Sequence, residues 1–368
     1  MLPKIIIVLQ DDWELMGDGT GNVAGLQYLP LVFLLKLADN LNFKMTFNVE
    51  VLQQLAFKKF SHIDRNLLIQ ANIWDNSVLL MKEKGHDVQL HLHPQWYQCK
   101  YEDDNFILNN NWNIATYERP QRQSMIASGI SYLEDLITPI DPSYKVTCFK
   151  AGSWALQPSE GILEDLESFG IIFVIGPGKG IKYVTNSIYI NYDEIEEAIF
   201  PYYPDYSDIN KISNKEKNII ILPLPFYKLS VLGLFGKTWE SLLRPTNYDI
   251  YPKQHKITHI KSPMGSSKTI KQAYKEIFCF KTYSLPASSL EEMKEGIDQI
   301  ISRVLDTDNG CIPIIIQTHT KAYPFQYNNV RLFMEYIVNK YCDITKFSTL
   351  TELLSMRDNL HVKICNKK

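Results

Sequence analysis

The sequence predicts an α/β fold built on a parallel sheet or barrel, and three observations predict it. Apolar, β-branched runs such as Ile5-Ile6-Ile7-Val8-Leu9 end abruptly in polar residues, as buried strands do. Segments of helical periodicity alternate with such runs from residue 4 to residue 176. Three of the runs end in side chains able to bind a metal or carry a proton: Gln10-Asp11-Asp12-Trp13, Leu90-His91-Leu92-His93-Pro94 and Ile316-Gln317-Thr318-His319. In α/β folds, chemistry is placed at the C-terminal ends of strands.

The elements follow in order. After the acidic strand end, the glycines of 17–22 form a turn or site-edge loop; they lack the Gly-Lys-Ser/Thr ending of a phosphate loop. Leu29 to Leu41 reads as a helix and Lys44 to Glu50 as the next strand. Asn72 to Lys84 has helical periodicity and stops at Gly85, where a C-terminal cap is expected. The His-x-His strand follows at once. Tyr97 to Arg119 is a polar loop long enough to lie over a strand-end site. Gln121 to Ile137 is a helix, and Lys145 to Lys150 a strand ending at Ala151-Gly152-Ser153-Trp154. Ser159 is expected to cap a helix that ends at Gly170, and Ile171 to Ile175 is a further strand.

From about 177 to 287 the alternation lapses, although Ile219 to Leu222 reads as a strand. Residues 228–281 carry ten Lys/Arg against three acids, either a solvated face or a patch for a phosphate-bearing substrate. Alternation returns at Ser289 to Glu292, which has capping-box spacing ahead of a helix to Leu305. The His319 strand, a helix from about Gln326 to Tyr341, a short strand near Phe347 and a last helix opened by Thr349 complete the chain. The organisation expected is one domain over 1–368 with a long irregular insertion at about 177–287.

Composition sets bounds on function. The 368 residues are 45% hydrophobic and 21% charged, enough for a substantial core in a globular protein. With 38 Lys+Arg against 41 Asp+Glu, no global field recruits nucleic acid or an anionic membrane. Six scattered cysteines without a Cys-x-x-Cys argue against a disulfide framework or a zinc ribbon. The N-terminal apolar run is too short and too soon acidic for a signal peptide, so a cytoplasmic location is expected.

Aspartate with two or three imidazoles suits zinc, or a harder divalent ion where carboxylates dominate. His91 and His93 are two apart on a strand, so both rings point to one side. An ion held with an open position lowers the pKa of bound water to about 7. A spare carboxylate can then take a proton and a separate imidazolium can protonate a leaving group. Asp11, Asp12 and His319 fill the roles of base, metal ligand and acid.

These residues resemble the polysaccharide deacetylases of the NodB-homology, carbohydrate esterase 4 type. The strand ending in two aspartates is similar to Gln10-Asp11-Asp12-Trp13, which implies Asp11 as general base and Asp12 as metal ligand. The family's Gly-His-Glu motif resembles Gly85 to His91 and makes His91 the first metal histidine. Its arginine-bearing motif looks like Phe149-Lys150-Ala151-Gly152-Ser153-Trp154, and its catalytic-histidine strand like Ile314 to His319. Order and spacing match over the whole chain. Tyr202 to Asp205 and Leu242 to Pro245 are also similar to segments of WbmS-like members linked to surface-polysaccharide clusters.

The resemblance implies a distorted (β/α)7 barrel and a metal-dependent deacetylase. Catalytic roles fall to Asp11, His319 and Lys150, and metal ligation to Asp12 and His91 with His93 or Gln95. Substrate contacts are expected at Trp13, Trp154, Tyr203 and Arg244. The implied substrate is an N-acetylated sugar, nucleotide- or lipid-linked, of surface-polysaccharide synthesis. Three departures stand out: Gln95 occupies the second histidine's place, Lys150 replaces an arginine, and Val174-Ile175 stand where an acid is expected. They motivate an alternative, a degenerate member that binds glycan intermediates. A metal-dependent amidohydrolase barrel ranks below both, because there His-x-His ends the first strand.

Overall fold

The computed structural model describes residues 4–184, 189–228, 280–285, 288–305, 310–321 and 327–365. Arg244 and most of the basic 228–281 run lie outside them. The barrel strands are β1 (Ile5–Trp13), β2 (Thr46–Glu50), β3 (Asp87–Leu92), β4 (Cys148–Ala151), β5 (Phe173–Gly178), β6 (Ile220–Leu224) and β7 (Ile312–His319). A short β8 (Thr345–Phe347) joins them. The helices are α1 (Leu29–Asn40), α2 (Val51–Phe60), α3 (Arg65–Glu83), α4 (Arg119–Ile137), α5 (Ile162–Ser168), α6 (Leu290–Leu305), α7 (Tyr327–Tyr341) and α8 (Leu350–Ser355).

The strand order is β6-β5-β4-β3-β2-β1-β7, and every pairing is parallel. β6 and β7, at the two ends, approach each other without pairing, so the sheet curls into a nearly closed barrel. This is the distorted (β/α)7 barrel that the resemblance implies. β1 pairs with β7 along Ile5 to Asp12, while its other edge is shared: β8 takes Ile5 to Ile7 and β2 takes Gln10 to Trp13. β1 is therefore clamped on both sides, and residues Ile5 to Leu9 are fully buried. Burial of such side chains stabilises the fold by about 1.5–3 kcal/mol each.

Local chemistry sets the boundaries. Glu50 ends β2 and caps α2, accepting from the amides of Leu52 (2.8 Å) and Gln53 (3.3 Å). Asp64 caps α3, which starts seven residues earlier than its periodicity suggests and ends, as expected, ahead of Gly85 at φ 76°. The capping box predicted at Ser289–Glu292 forms, and Thr349 opens the last helix with a second box to Glu352. Ser159, read as a helix cap, instead accepts from the Ile209 amide at 2.8 Å, and α5 opens at Ile162. The loop after β3 contains a small hairpin, Lys100–Glu102 with Asn105–Ile107. The described part of 177–287 adds the hairpins Lys182–Val184/Tyr189–Asn191 and Pro204–Asp205/Asp208–Ile212. No described helix is long and apolar enough to cross a membrane.

Candidate metal centre

Strand alternation decides what faces the barrel interior. On β1, Gln10, Asp12 and the following Glu14 share one face, while Asp11 and Trp13 share the other. The parallel register brings Asn48 and Glu50 of β2, His91 of β3, Lys150 of β4, and Gln317 and His319 of β7 level with that first face. Every one of these is buried except His319, which is partly exposed.

Glu14, His91 and His93 form the one described set of three acidic, histidine or cysteine side chains whose ligand atoms all lie within 4.8 Å of one another. Glu14 Oε2 is 3.2 Å from His91 Nε2 and is in contact with His93 Nε2. Two ligands about 2.0–2.1 Å from a tetrahedral ion stand roughly 3.3 Å apart, so the His91–Glu14 spacing suits a bound ion. His91 Nδ1 lies 2.9 Å from the Lys150 carbonyl. Donation there leaves the Nε2 lone pair aimed at a carboxylate, an arrangement that calls for a cation between them. Two imidazoles and a carboxylate, all buried, fit a zinc-type divalent ion. The other Glu14 oxygen is held by Lys321. Burial alone would raise the Glu14 carboxyl, but His93 and Lys321 outweigh it and hold it well below the usual carboxylate range.

Beside this centre lies a second charged cluster. Asp12 Oδ2 is 2.7 Å from Lys150 Nζ and 3.2 Å from His319 Nε2. Burial opposes ionisation of Asp12, yet Lys150 and His319 overcome it and keep the carboxyl very acidic. Lys150 is fully buried, and desolvation pulls its ammonium below the ordinary lysine value. It also donates to Gln317 Oε1 at 2.7 Å. In the amide orientation that satisfies its partners, Gln10 donates to Asp12 Oδ1 (3.1 Å) and accepts from Lys150 (2.9 Å). Desolvation lowers the His319 pKa as well, although Asp12 pulls the other way, and its Nε2 stands 4.0 Å from Glu14 Oε1. Glu50 is the contrasting carboxyl: burial pushes it up to about 8, against the pull of His93, so it is largely protonated at neutral pH.

The structure thus brings Asp12, Lys150, His91, His93, Gln95, Trp154 and His319 to one end of the barrel. Gln95 donates to the Gly17 carbonyl (3.1 Å) and lies 2.9 Å from His93 Nδ1, beside the ligand set rather than in it. Asp12 is not in that set either; Lys150 and His319 occupy it. Asp11 is fully buried on the opposite face of β1, where desolvation, then the charge of Asp12, raise its carboxyl well above the usual range. Trp13 is fully buried, exchanges two 3.1 Å hydrogen bonds with Gln27 and packs on Trp74, so its ring supports the wall. Tyr203 is nearly buried at the other end of the sheet, where its amide meets the Lys363 carbonyl next to the start of β6. Glu14, Glu50 and Lys321 are the site residues that the sequence reading misses. The signal for Glu14 was its two-residue step from Asp12, the same spacing that pairs His91 with His93.

No family model and no curated protein matches the chain. Solved structures do resemble it. A Mycobacterium smegmatis structure described as a polysaccharide deacetylase is 11% identical, covering 100% of this chain and 95% of that one, with a TM-score of 0.48. A branching enzyme of the GH57 type from Thermococcus kodakaraensis is 13% identical over 100% of this chain and 74% of its own, also at 0.48. An allantoinase is 10% identical over 98% and 92%, at 0.46. The barrel assignment rests on this chain's own strand order and register.

Proposed function

We propose that the protein is a metal-dependent amide hydrolase of the deacetylase type, acting on an N-acetylated sugar. The observation that carries the reading is the buried Glu14, His91 and His93 set, with an Asp12–His319 pair beside it. Glu14, His91 and His93 would hold the ion, which when bound supplies an acidic water and polarises an acyl carbonyl.

The chain's own residues supply the rest. His319 is the proton carrier: burial favours its neutral form, while Asp12 fixes the ring and stabilises the imidazolium once a proton arrives. Lys150 holds Asp12 in place and keeps it ionised. Asp12 is too acidic to take a proton readily, so it orients and His319 transfers. The protein environment excludes water from Lys150 and Asp12, which strengthens their attraction. A nucleotide or lipid carrier on the sugar is the finer expectation, and it rests on the basic 228–281 run. Within that run Lys281 is already engaged, 3.2 Å from Glu292.

A second reading is favoured by one observation. Glu14 already has a counter-ion in Lys321 and two imidazoles in contact with its other oxygen, so a barrel that binds glycan and hydrolyses nothing is physically coherent. Acetate release from a panel of N-acetylated sugars, before and after zinc reconstitution, separates the two. Zinc-dependent release that is lost in His319→Ala supports hydrolysis. Saturable sugar binding with no release under any metal condition overturns hydrolysis in favour of the second reading.

A further inference from the structure

We infer that Trp154 and Tyr183 form an aromatic platform that receives the pyranose ring of the substrate; this rests on the proposed hydrolysis of an N-acetylated sugar. The two rings are nearly parallel, 5° apart with centroids 6.3 Å from each other, and both are half-buried rather than sealed in the core. Their position relative to the metal centre is fixed by the turn after β4. A Cβ placed on Gly152 would lie 2.7 Å from His93 Cγ and 2.8 Å from the Leu92 carbonyl, so this turn packs directly on the His93 ring. Two residues on, Trp154 Nε1 donates to Gln317 Oε1 at 3.1 Å, the oxygen that also takes Lys150. The platform therefore shares a hydrogen-bonded partner with the Asp12–Lys150 pair.

The backbone beneath it is strained and held. Ser153 and Trp154 both have φ of 54°, a left-handed conformation that non-glycine residues adopt only where surroundings enforce it. The Tyr192 hydroxyl donates to the Trp154 carbonyl at 2.7 Å. Gln157 and Asn191 exchange hydrogen bonds of 3.2 and 2.6 Å, which tie the hairpin carrying Tyr183 to the segment carrying Trp154. Tyr183 packs against the core while staying partly exposed, whereas Ile190 opposite it is fully buried. Parallel aromatic faces beside a polar reacting centre suit a pyranose, whose axial C–H groups form an apolar face and whose hydroxyls stay in water.

The test measures binding of the trisaccharide of N-acetylglucosamine to the full chain by calorimetry. In parallel, acetate release is followed from that trisaccharide and from N-acetylethanolamine, which has no ring. Tyr183→Ala should weaken trisaccharide binding about three- to tenfold. Tyr183→Phe should bind like wild type, and release from N-acetylethanolamine should be the same in all three. Unchanged trisaccharide binding by Tyr183→Ala overturns the platform, as does equal loss in Tyr183→Ala and Tyr183→Phe. Release from N-acetylethanolamine by a wild-type protein that binds no trisaccharide overturns the platform and spares hydrolysis. Tyr183-dependent binding without any release keeps the platform and overturns hydrolysis.

Discussion

Asp11 and Asp12 are adjacent in the chain but leave β1 on opposite faces. Asp12 meets Lys150 at 2.7 Å and His319 at 3.2 Å, whereas Asp11 is buried on the face it shares with Trp13. Their substitutions should differ accordingly. Asp12→Asn leaves the Lys150 ammonium buried without its counter-ion and should cost about 3–5 kcal/mol of stability, with activity lost. Asp11→Asn replaces a carboxyl that burial and the charge of Asp12 hold well above the usual range, on the face away from Lys150 and His319, and should cost under about 1 kcal/mol, with activity kept. Urea unfolding and turnover on both variants check this. Equal loss in the two would show that Asp11 also serves the site.

Gln95 controls which nitrogen of His93 carries the hydrogen. Its amide nitrogen is 2.9 Å from His93 Nδ1; donation there puts the ring hydrogen on Nε2, toward Glu14, so an ion bound at Nε2 requires the amide to turn its oxygen to an Nδ1–H instead. Gln95→Glu places an acceptor there, moves the hydrogen to Nδ1 and frees Nε2 for an ion. Zinc affinity by chelator competition should rise about tenfold in Gln95→Glu. Unchanged or weaker affinity would mean that His93 is not a ligand.

Gly152 is needed for close approach rather than for its conformational freedom. Gly152→Ala drives a methyl group into the His93 ring and the Leu92 carbonyl. The expected cost is about 1–3 kcal/mol, with weaker zinc binding in the same variant. Thermal unfolding and the chelator assay read both effects.

His86 makes stability depend on pH below neutrality. Its Nδ1 accepts the Met45 amide at 3.2 Å, and burial, then the nearby Lys44 charge, lower its pKa to about 4. The unfolded imidazole titrates near 6.5, so between about 6.5 and 4 the unfolded state binds the extra proton. Stability from this residue is therefore complete above about pH 6.5 and is lost as pH falls toward 4, by at most about 3 kcal/mol. His86→Gln, which keeps an acceptor but does not titrate, should flatten that part of the urea-midpoint profile. A wild-type slope retained in the variant would assign the titration to another group.

The barrel was legible because its strands are pure. Ile5 to Leu9 and Ile312 to Ile316 are apolar on both faces, as parallel strands covered on both sides require. The capping-box spacing at Ser289 and the helix start at Thr349 announced two helices that are present. The site was legible in location, through Asp12, His91, His93, Lys150 and His319, and less so in roles. A motif read as consecutive residues, Asp11-Asp12, conceals that a strand turns neighbours apart. The alternation that joins His91 to His93 also joins Asp12 to Glu14, and its consequence appears only once β1 is seen to carry Trp13 inside the wall. Lys321 and Glu50 gave no sequence signal, because their proximity to Glu14 and His93 arises from the register between strands. Tyr203, which the resemblance places among the substrate contacts, lies in a segment that pairs with Lys363 at the far end of the sheet.

The central claim is that Glu14, His91 and His93 hold one divalent ion. Elemental analysis of the zinc-reconstituted, desalted protein tests it most directly, with wild type, Glu14→Gln and His91→Ala compared after circular dichroism has shown each to be folded. About one ion per chain in wild type, and little in either variant, is the predicted result. No ion in wild type, or the same content in all three, would contradict it.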